Sequence, residues 1–332
     1  MTSVDVVITT YNRHGPLNRC LTALAHQTRE PSRVIVVDDC SDPPVELTIS
    51  RALRAALPLT ILRQEANGGP ARGRNAGVQE SSSETVLFID DDVVATPQLL
   101  EHHQKWHQQS GALVVIGPLV APPDWQPTAW NLWEARKLDN EYQKMEAGLY
   151  SPTWRQFFTG NASVHRSRFL RAGGFNEHFT RAEDIELGIR LEQDGCRFVF
   201  EPRAAGLHYA VRTAASWLRI PGEYAKFDVA IDQLHPRLRW AQYVEREARF
   251  RHPLTQAVTV GLRTVSGERP AARAALVVAG GLHSIGMRSV SQSALSLAFA
   301  LEYSAAFRSA IQRAQRDGSA SDLVAESGAG QR

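Results

Sequence analysis

The chain has 332 residues, 43% hydrophobic and 22% charged, with 37 Lys and Arg against 35 Asp and Glu for a net charge of +2. These values match ordinary soluble globular proteins and exclude a disordered, collagen-like or coiled-coil chain. So small a surplus argues against nucleic acid or an anionic membrane as the default partner, and the length admits two domains.

The first ninety residues alternate β-branched runs with helical patterns. Strands are expected at Val4–Thr10, Val34–Asp38, Leu59–Gln64 and Thr85–Ile89, and helices at Leu17–Gln27, Val45–Ala56 and Pro70–Gln79. The strands are nearly continuous apolar runs, as in a parallel sheet covered on both faces. This cadence predicts an α/β fold, doubly wound in its first third. Ligands in such sheets sit beyond the carboxyl ends of the strands, which here carry Thr10-Tyr11-Asn12, Asp38-Asp39 and Asp90-Asp91-Asp92.

From Pro118 to Trp154 the chain is rich in Pro and Trp and weakly periodic, and is read as an insertion over the sheet. A strand and helix follow at Phe157–Arg171, a helix at Ile185–Asp194 and a strand at Phe198–Glu201. The α/β domain is expected to close near Pro236, with Ala-rich helices over 237–316 and a polar tail from Asp317 to Arg332. The apolar runs Ala274–Met287 and Ser289–Leu301, divided by Arg288, are each shorter than the ~18 residues of a membrane span. The three cysteines form no C-x-x-C pair, and no basic, apolar leader is evident, so a reducing cytoplasmic setting is expected.

Three carboxylates at a buried strand end repel one another and call for a cation or for donors; Asp90-Asp91-Asp92 reads either as a metal site or as an acidic turn before the next helix. Glu183-Asp184 precedes the apolar positions Ile185, Leu187, Ile189 and Leu191, so it reads as a helix cap or as a general base. Gly68 and Gly73 have phosphate-loop spacing, but Arg74-Asn75 stands where Lys-Ser/Thr is required, and a Walker A loop is excluded. Arg72 and Arg74 at a helix start can still face a diphosphate, or the segment is a plain loop-to-helix junction. His103 and His107, one helical turn apart in a polar stretch, are read as a solvated face. His208 by itself reads as structural.

Taken together, Val6–Arg13, Val36–Ser41, Asn67–Asn75 and Phe88–Asp92, followed by Phe158–Ser163, Gly173–Glu177 and Ala182–Leu187 with Arg190-Leu191 and Gly195, resemble the family 2 glycosyltransferases of GT-A fold over residues 4 to 210. The resemblance implies a GT-A catalytic domain over 1–236, with a nucleotide-binding half to residue 117 and an acceptor half from 118. It implies a nucleotide-sugar donor, with uracil near Thr10 and Tyr11, its N3 proton on Asp39, and Arg13, Arg74, Asp90 and Asp91 also at the donor. It implies Mn²⁺ or Mg²⁺ on Asp90 and Asp92, with His208 where relatives place a further ligand. Asp184 would be the inverting base and Glu183 would shape the acceptor site, with Gly160 and Asn161 on the acceptor side.

Arg239-Trp240 occurs without the Gln of the processive Q-x-x-R-W motif, where Pro236 stands, which implies transfer of a single sugar. A sugar nucleotidyltransferase would carry a Gly-rich loop with Lys after the first strand, and a silent nucleotide-sugar sensor could lose the base or the metal pair; neither pattern is met. The acceptor stays open among a natural-product core, a lipid-linked saccharide, a glycan and a peptide. Trp130 and Trp133 are expected as an acceptor wall, or else as packing of the insertion on the sheet. The C-terminal helices are expected to bury a broad apolar face, against the catalytic domain, a second subunit, a partner protein or a membrane surface at the inner face.

Overall fold

A computed structural model describes residues 3–249, 253–263 and 267–317. The chain divides into two compact units, Met1–Trp125 with Ala135–Ala210, and Gln126–Glu134 with Val211–Arg332.

The first unit opens with the expected alternation: β1 (Val4–Thr10), α1 (His14–Leu24), β2 (Arg33–Asp38), α2 (Arg51–Ala56), β3 (Leu59–Arg63), α3 (Gly69–Glu80) and β4 (Thr85–Ile89). Helix α1 buries Leu17, Cys20, Leu21 and Leu24, the three-and-four spacing of one helical face. The helix expected over Val45–Ala56 is broken into a 3₁₀ turn at Val45–Leu47 and the short α2, because the Ser50 hydroxyl accepts the Leu53 N–H at 3.2 Å and starts a new helix. Helix α3 lies close on the sheet: a Cβ at Gly73 would stand 2.7 Å from Thr9 Cγ2, and one at Gly77 2.4 Å from Val7 Cγ1. Larger residues there would lift the helix and Arg74 with it.

After β4 come β5 (Val93–Ala95), α4 (Leu99–His107), β6 (Leu113–Ile116), β7 (Leu119–Val120), α5 (Ala129–Glu146), β8 (Asn161–His165), α6 (Arg166–Arg171), α7 (Glu183–Gln193), β9 (Arg197–Phe200) and β10 (Gly206–His208). The main sheet has seven strands in the order β3-β2-β1-β4-β8-β6-β9. It is mostly parallel, but β8 runs antiparallel to both β4 and β6. A second sheet, β5-β10-β7, has three short strands. The Trp-rich segment, read as a weakly periodic insertion, holds the 18-residue helix α5.

The second unit contains α8 (Ala214–Leu234), α9 (Trp240–Arg249), α10 (Pro253–Arg263), α11 (Glu268–Ser284) and α12 (Arg288–Asp317). The second compact unit begins after Ala210 and so takes in α8. The reason is the burial of α8: Trp217 and Ile220 pack with Leu276, Leu295 and Ala298, and Ala225 and Val229 with Tyr303 and Phe307. Asp228 locks this core by accepting Trp240 Nε1–H at 2.8 Å and the Tyr303 hydroxyl at 2.6 Å. No helix among the described residues is long and apolar enough to cross a membrane. The expected tail from Asp317 lies almost wholly outside the described residues.

Candidate active site

Strand pairing sets the site. In the parallel register Thr10 lies opposite Asp38, so β1 and β2 end together, and β4 ends beside them. Asp38 holds the turn that follows β2, accepting from Ser41 N–H at 2.8 Å, Val45 N–H at 3.2 Å and Arg63 Nη1 at 2.7 Å. That frees Asp39 to face the other way, where its two oxygens accept Gly68 N–H at 2.8 Å and Gly69 N–H at 2.9 Å. The Asp39 carboxylate therefore ties the end of β2 to the start of α3, and each oxygen keeps a lone pair for a further donor. Tyr11 is 47% exposed, whereas the Thr10 side chain before it is buried and donates to Asp91 Oδ2 at 2.7 Å. Thr10 thus props a carboxylate and does not offer an open surface.

The triplet divides into three environments. Asp90 is partly exposed and accepts from Arg74 Nη2 at 2.9 Å. A Cβ at Gly160 would stand 2.8 Å from Asp90 Oδ2, so the glycine makes room for this carboxylate. Asp91 is buried between Thr10 and Arg13 Nη1, the latter at 3.0 Å, and burial pushes it up to about 7 despite those donors. Asp92 accepts from Arg13 Nη2 at 2.7 Å and lies 3.5 Å from His208 Nε2. Burial would raise its carboxyl, but His208 and Arg13 outweigh burial and hold it well below the usual carboxylate range.

His208 reaches Asp92 through the small sheet. Strand β10 pairs antiparallel with β5 so that His208 faces Val93, and the Tyr209 N–H donates to the Asp92 carbonyl at 3.0 Å. Among the described residues no three His, Cys, Asp or Glu side chains stand preassembled as a metal-binding group. Asp92, with His208 beside it and Asp90 two residues away, still matches the demand of a hard divalent cation that takes one or two protein ligands and completes its shell with phosphate and water.

Helix α7 begins at Glu183, with Ala182 before it in the left-handed region at φ 59° and no side-chain cap. Asp184 accepts the Ile185 N–H at 2.8 Å and the Thr159 backbone N–H. Glu183 accepts from Arg74 Nη1 at 2.7 Å, so one buried guanidinium spans Asp90 and Glu183. Burial, then the neighbouring Glu183 charge, push Asp184 up to about 7 against the pull of Arg74. A carboxylate titrating near neutrality is suited to accept a proton. Asn75 supports the arrangement: its amide pairs with the Phe175 backbone, accepting at 2.8 Å and donating at 2.9 Å, and joins α3 to the loop ahead of α7. The roles of Asn75 and Thr159 were missed by sequence reasoning, although both stand inside or beside motifs it quotes.

Other expected residues fall elsewhere. Asn161 is fully buried, donates to the Pro118 and Ala204 carbonyls, and contacts His103 Nε2 at 3.0 Å; it joins strands and has no open face for an acceptor. His103 and His107, expected on a solvated face, are buried and both bond Ser163 Oγ, at 2.8 and 2.7 Å, because α4 lays its polar-looking side on β8. Trp130 and Trp133 belong to the second unit, where Trp130 Nε1–H donates to the Arg212 carbonyl at 2.8 Å and Trp133 Nε1–H to Ser296 Oγ at 2.9 Å. Trp133 also stacks on Phe299 and meets Trp217 edge-on. Both pack within the helical unit.

A mixed sheet with acidic strand ends, covered by helices and followed by a helical region, is the GT-A architecture. Staphylococcus aureus TarS 1–349 in complex with UDP superposes with a TM-score of 0.54 at 16% identity, over 96% of this chain and 92% of that one. A mannosyltransferase from Pyrobaculum calidifontis in complex with GDP-Man and Mn²⁺ gives 0.57 at 18% identity, over 90% and 86%. The family model described as Glycosyl transferase family 2 matches residues 5–170, and the chain belongs to that family. Validoxylamine A glucosyltransferase of Streptomyces hygroscopicus subsp. limoneus is 32% identical over 219 residues, 58% of this chain and 48% of that protein. Pre-mycofactocin glycosyltransferase of Mycobacterium tuberculosis is 28% identical over 234 residues, 70% and 48%. The chain thus spans about half the length of these two relatives.

Proposed function

We propose that the chain transfers a single sugar from a nucleotide-sugar, a UDP-sugar in the first instance, to a hydroxyl-bearing acceptor in one inverting displacement. The observation that carries this reading is Asp184 poised near neutrality at the start of α7, beside the Glu183–Arg74–Asp90 chain that leads to the acidic strand end. Asp184 takes the acceptor hydroxyl proton as that oxygen bonds to the anomeric carbon. The bond from that carbon to the diphosphate breaks on the opposite face, so the anomer inverts. Arg74 fixes Glu183 and Asp90 in one frame, and Asp39 offers an acceptor for a base N–H. A divalent ion held by Asp92 and Asp90, with His208, would act as a Lewis acid toward the charge developing on the departing diphosphate.

UDP and GDP-Man in the two structural neighbours are in keeping with a nucleotide or nucleotide-sugar donor site, and the names of the two curated relatives favour a small natural-product acceptor over a polymer. The test is nucleotide release from an array of UDP- and GDP-sugars with and without Mn²⁺, followed by an acceptor array and determination of the product anomer. Absence of metal-stimulated release from every donor, or a product with retained configuration, overturns the reading.

A further inference from the structure

In the second unit, α11 turns Ala272, Leu276 and Ala279 into the helical core. Among the described residues its other side is uncovered. Val277 is 75% exposed and Val278 55%, and the stripe continues through the turn into α12 with Ile285 at 69%, Met287 at 46% and Val290 at 49%. Ala274, Val277, Val278 and Gly281 recur at intervals of three and four, so they share one face of α11 that runs out at Ile285. Exposed aliphatic residues are unremarkable singly; a continuous group at a hairpin tip marks an interaction surface.

The charge around this tip selects the partner. Between Glu268 and Glu302 the sequence contains no Asp or Glu, only Arg269, Arg273, His283 and Arg288 as ionisable side chains. Arg269 is paired with Glu302 at 3.5 Å, at the far end of the hairpin, and Arg273, one turn further on, also bears on that carboxylate. Arg273 and Arg288 are exposed on either side of the aliphatic stripe in sequence. A two-fold contact with a second copy through this face would bring arginines toward arginines, an unfavourable like-charge approach. A phosphate-bearing surface removes that repulsion and accepts the aliphatic side chains together.

We propose that the tip of the α11–α12 hairpin docks on the surface of an anionic lipid bilayer. Val277, Val278, Ile285 and Met287 enter the boundary between headgroups and acyl chains, and Arg273 and Arg288 pair with headgroup phosphates. With no described helix fit to span, the attachment is to one leaflet. This inference does not depend on the glycosyl-transfer reading.

The test is co-sedimentation of the full chain with phosphatidylglycerol–phosphatidylcholine vesicles against phosphatidylcholine alone, with sedimentation velocity in the absence of lipid. The expected result is binding to the anionic vesicles that weakens with salt. Val278→Ser with Ile285→Ser should lower the partition coefficient at least ~10-fold, and Arg273→Gln and Arg288→Gln about fivefold each. Circular dichroism and the unfolding temperature of each variant should match the parent, since all four side chains are exposed. Failure to bind anionic vesicles, equal binding to neutral ones, unchanged binding by the serine variant, or unchanged binding by both arginine variants overturns the proposal. A lipid-free dimer dissolved by the serine substitutions, without vesicle uptake, overturns it in favour of a second copy.

Discussion

Asp184 carries opposing demands. Its folded pKa of about 7 lies above the ordinary 3.8, so the native state binds its proton more tightly than the unfolded chain does. The corresponding stability is fully present below pH 3.8 and is lost as pH rises through about 7, the range in which a base must be unprotonated to act. Asp184→Asn should therefore lower transfer by ~10² to 10⁴-fold while leaving donor binding intact, and should raise the unfolding temperature at pH 8 more than at pH 4. Unchanged turnover would move the base elsewhere; equal loss of donor binding would leave Asp184 a structural helix-start residue. At the other end, Asp92→Ala should abolish metal-stimulated nucleotide release, because Arg13 and His208 then face a site without their shared carboxylate. Titration with Mn²⁺ checks it, and a parental metal response refutes the assignment. The carboxylates and most of the residues around them could be found as motifs; which pairs with which could not. Arg74 and Glu183 are separated by 109 positions, and nothing local in either segment announces that they meet.

Elements differ in how plainly their sequences announce them. Strands β1, β2 and β4 are nearly continuous buried runs between turn residues and, with the half-buried edge strand β3, could be read directly. The small sheet could not, since β5 and β10 have three residues each and β7 two, too few for a period to emerge. Helix α4 misleads in another way: its histidines look hydrophilic, yet burial pushes His103 down to about 4 and His107 down to about 3. The native state thus keeps both neutral. Their stability contribution is complete above about pH 6.5 and is lost as pH falls through 4 toward 3, the unfolded chain taking up the protons first. The chain should lose thermal stability from pH 6.5 downward, and His103→Asn with His107→Gln should flatten that limb. A parental slope in the double variant would assign acid unfolding to other groups.

For the whole molecule, the helical unit depends on aromatic contacts made by a tryptophan that the sequence left open between an acceptor wall and packing. Trp133→Ala removes the stack on Phe299, the edge contact with Trp217 and the Ser296 bond, and should destabilise the unit by about 3 kcal/mol. Two-probe unfolding checks it; an unchanged transition with a raised acceptor KM would restore the ligand-facing role. The net charge of +2 hid the acid-free hairpin for a related reason: a total over 332 residues says nothing of where the signs are placed.

The strand order also bears on how the protein is made. Strand β8 lies between β4 and β6, yet both of these leave the ribosome first. Until residue 165 has emerged, each has an open edge, an interval of roughly 4 to 15 s for β4 and roughly 2.5 to 10 s for β6 at ~5 to 20 residues per second. A nascent chain stalled before Asn161 should engage holdase chaperones more strongly than one released past His165, and ribosome profiling of chaperone-bound chains would show the contact ending there.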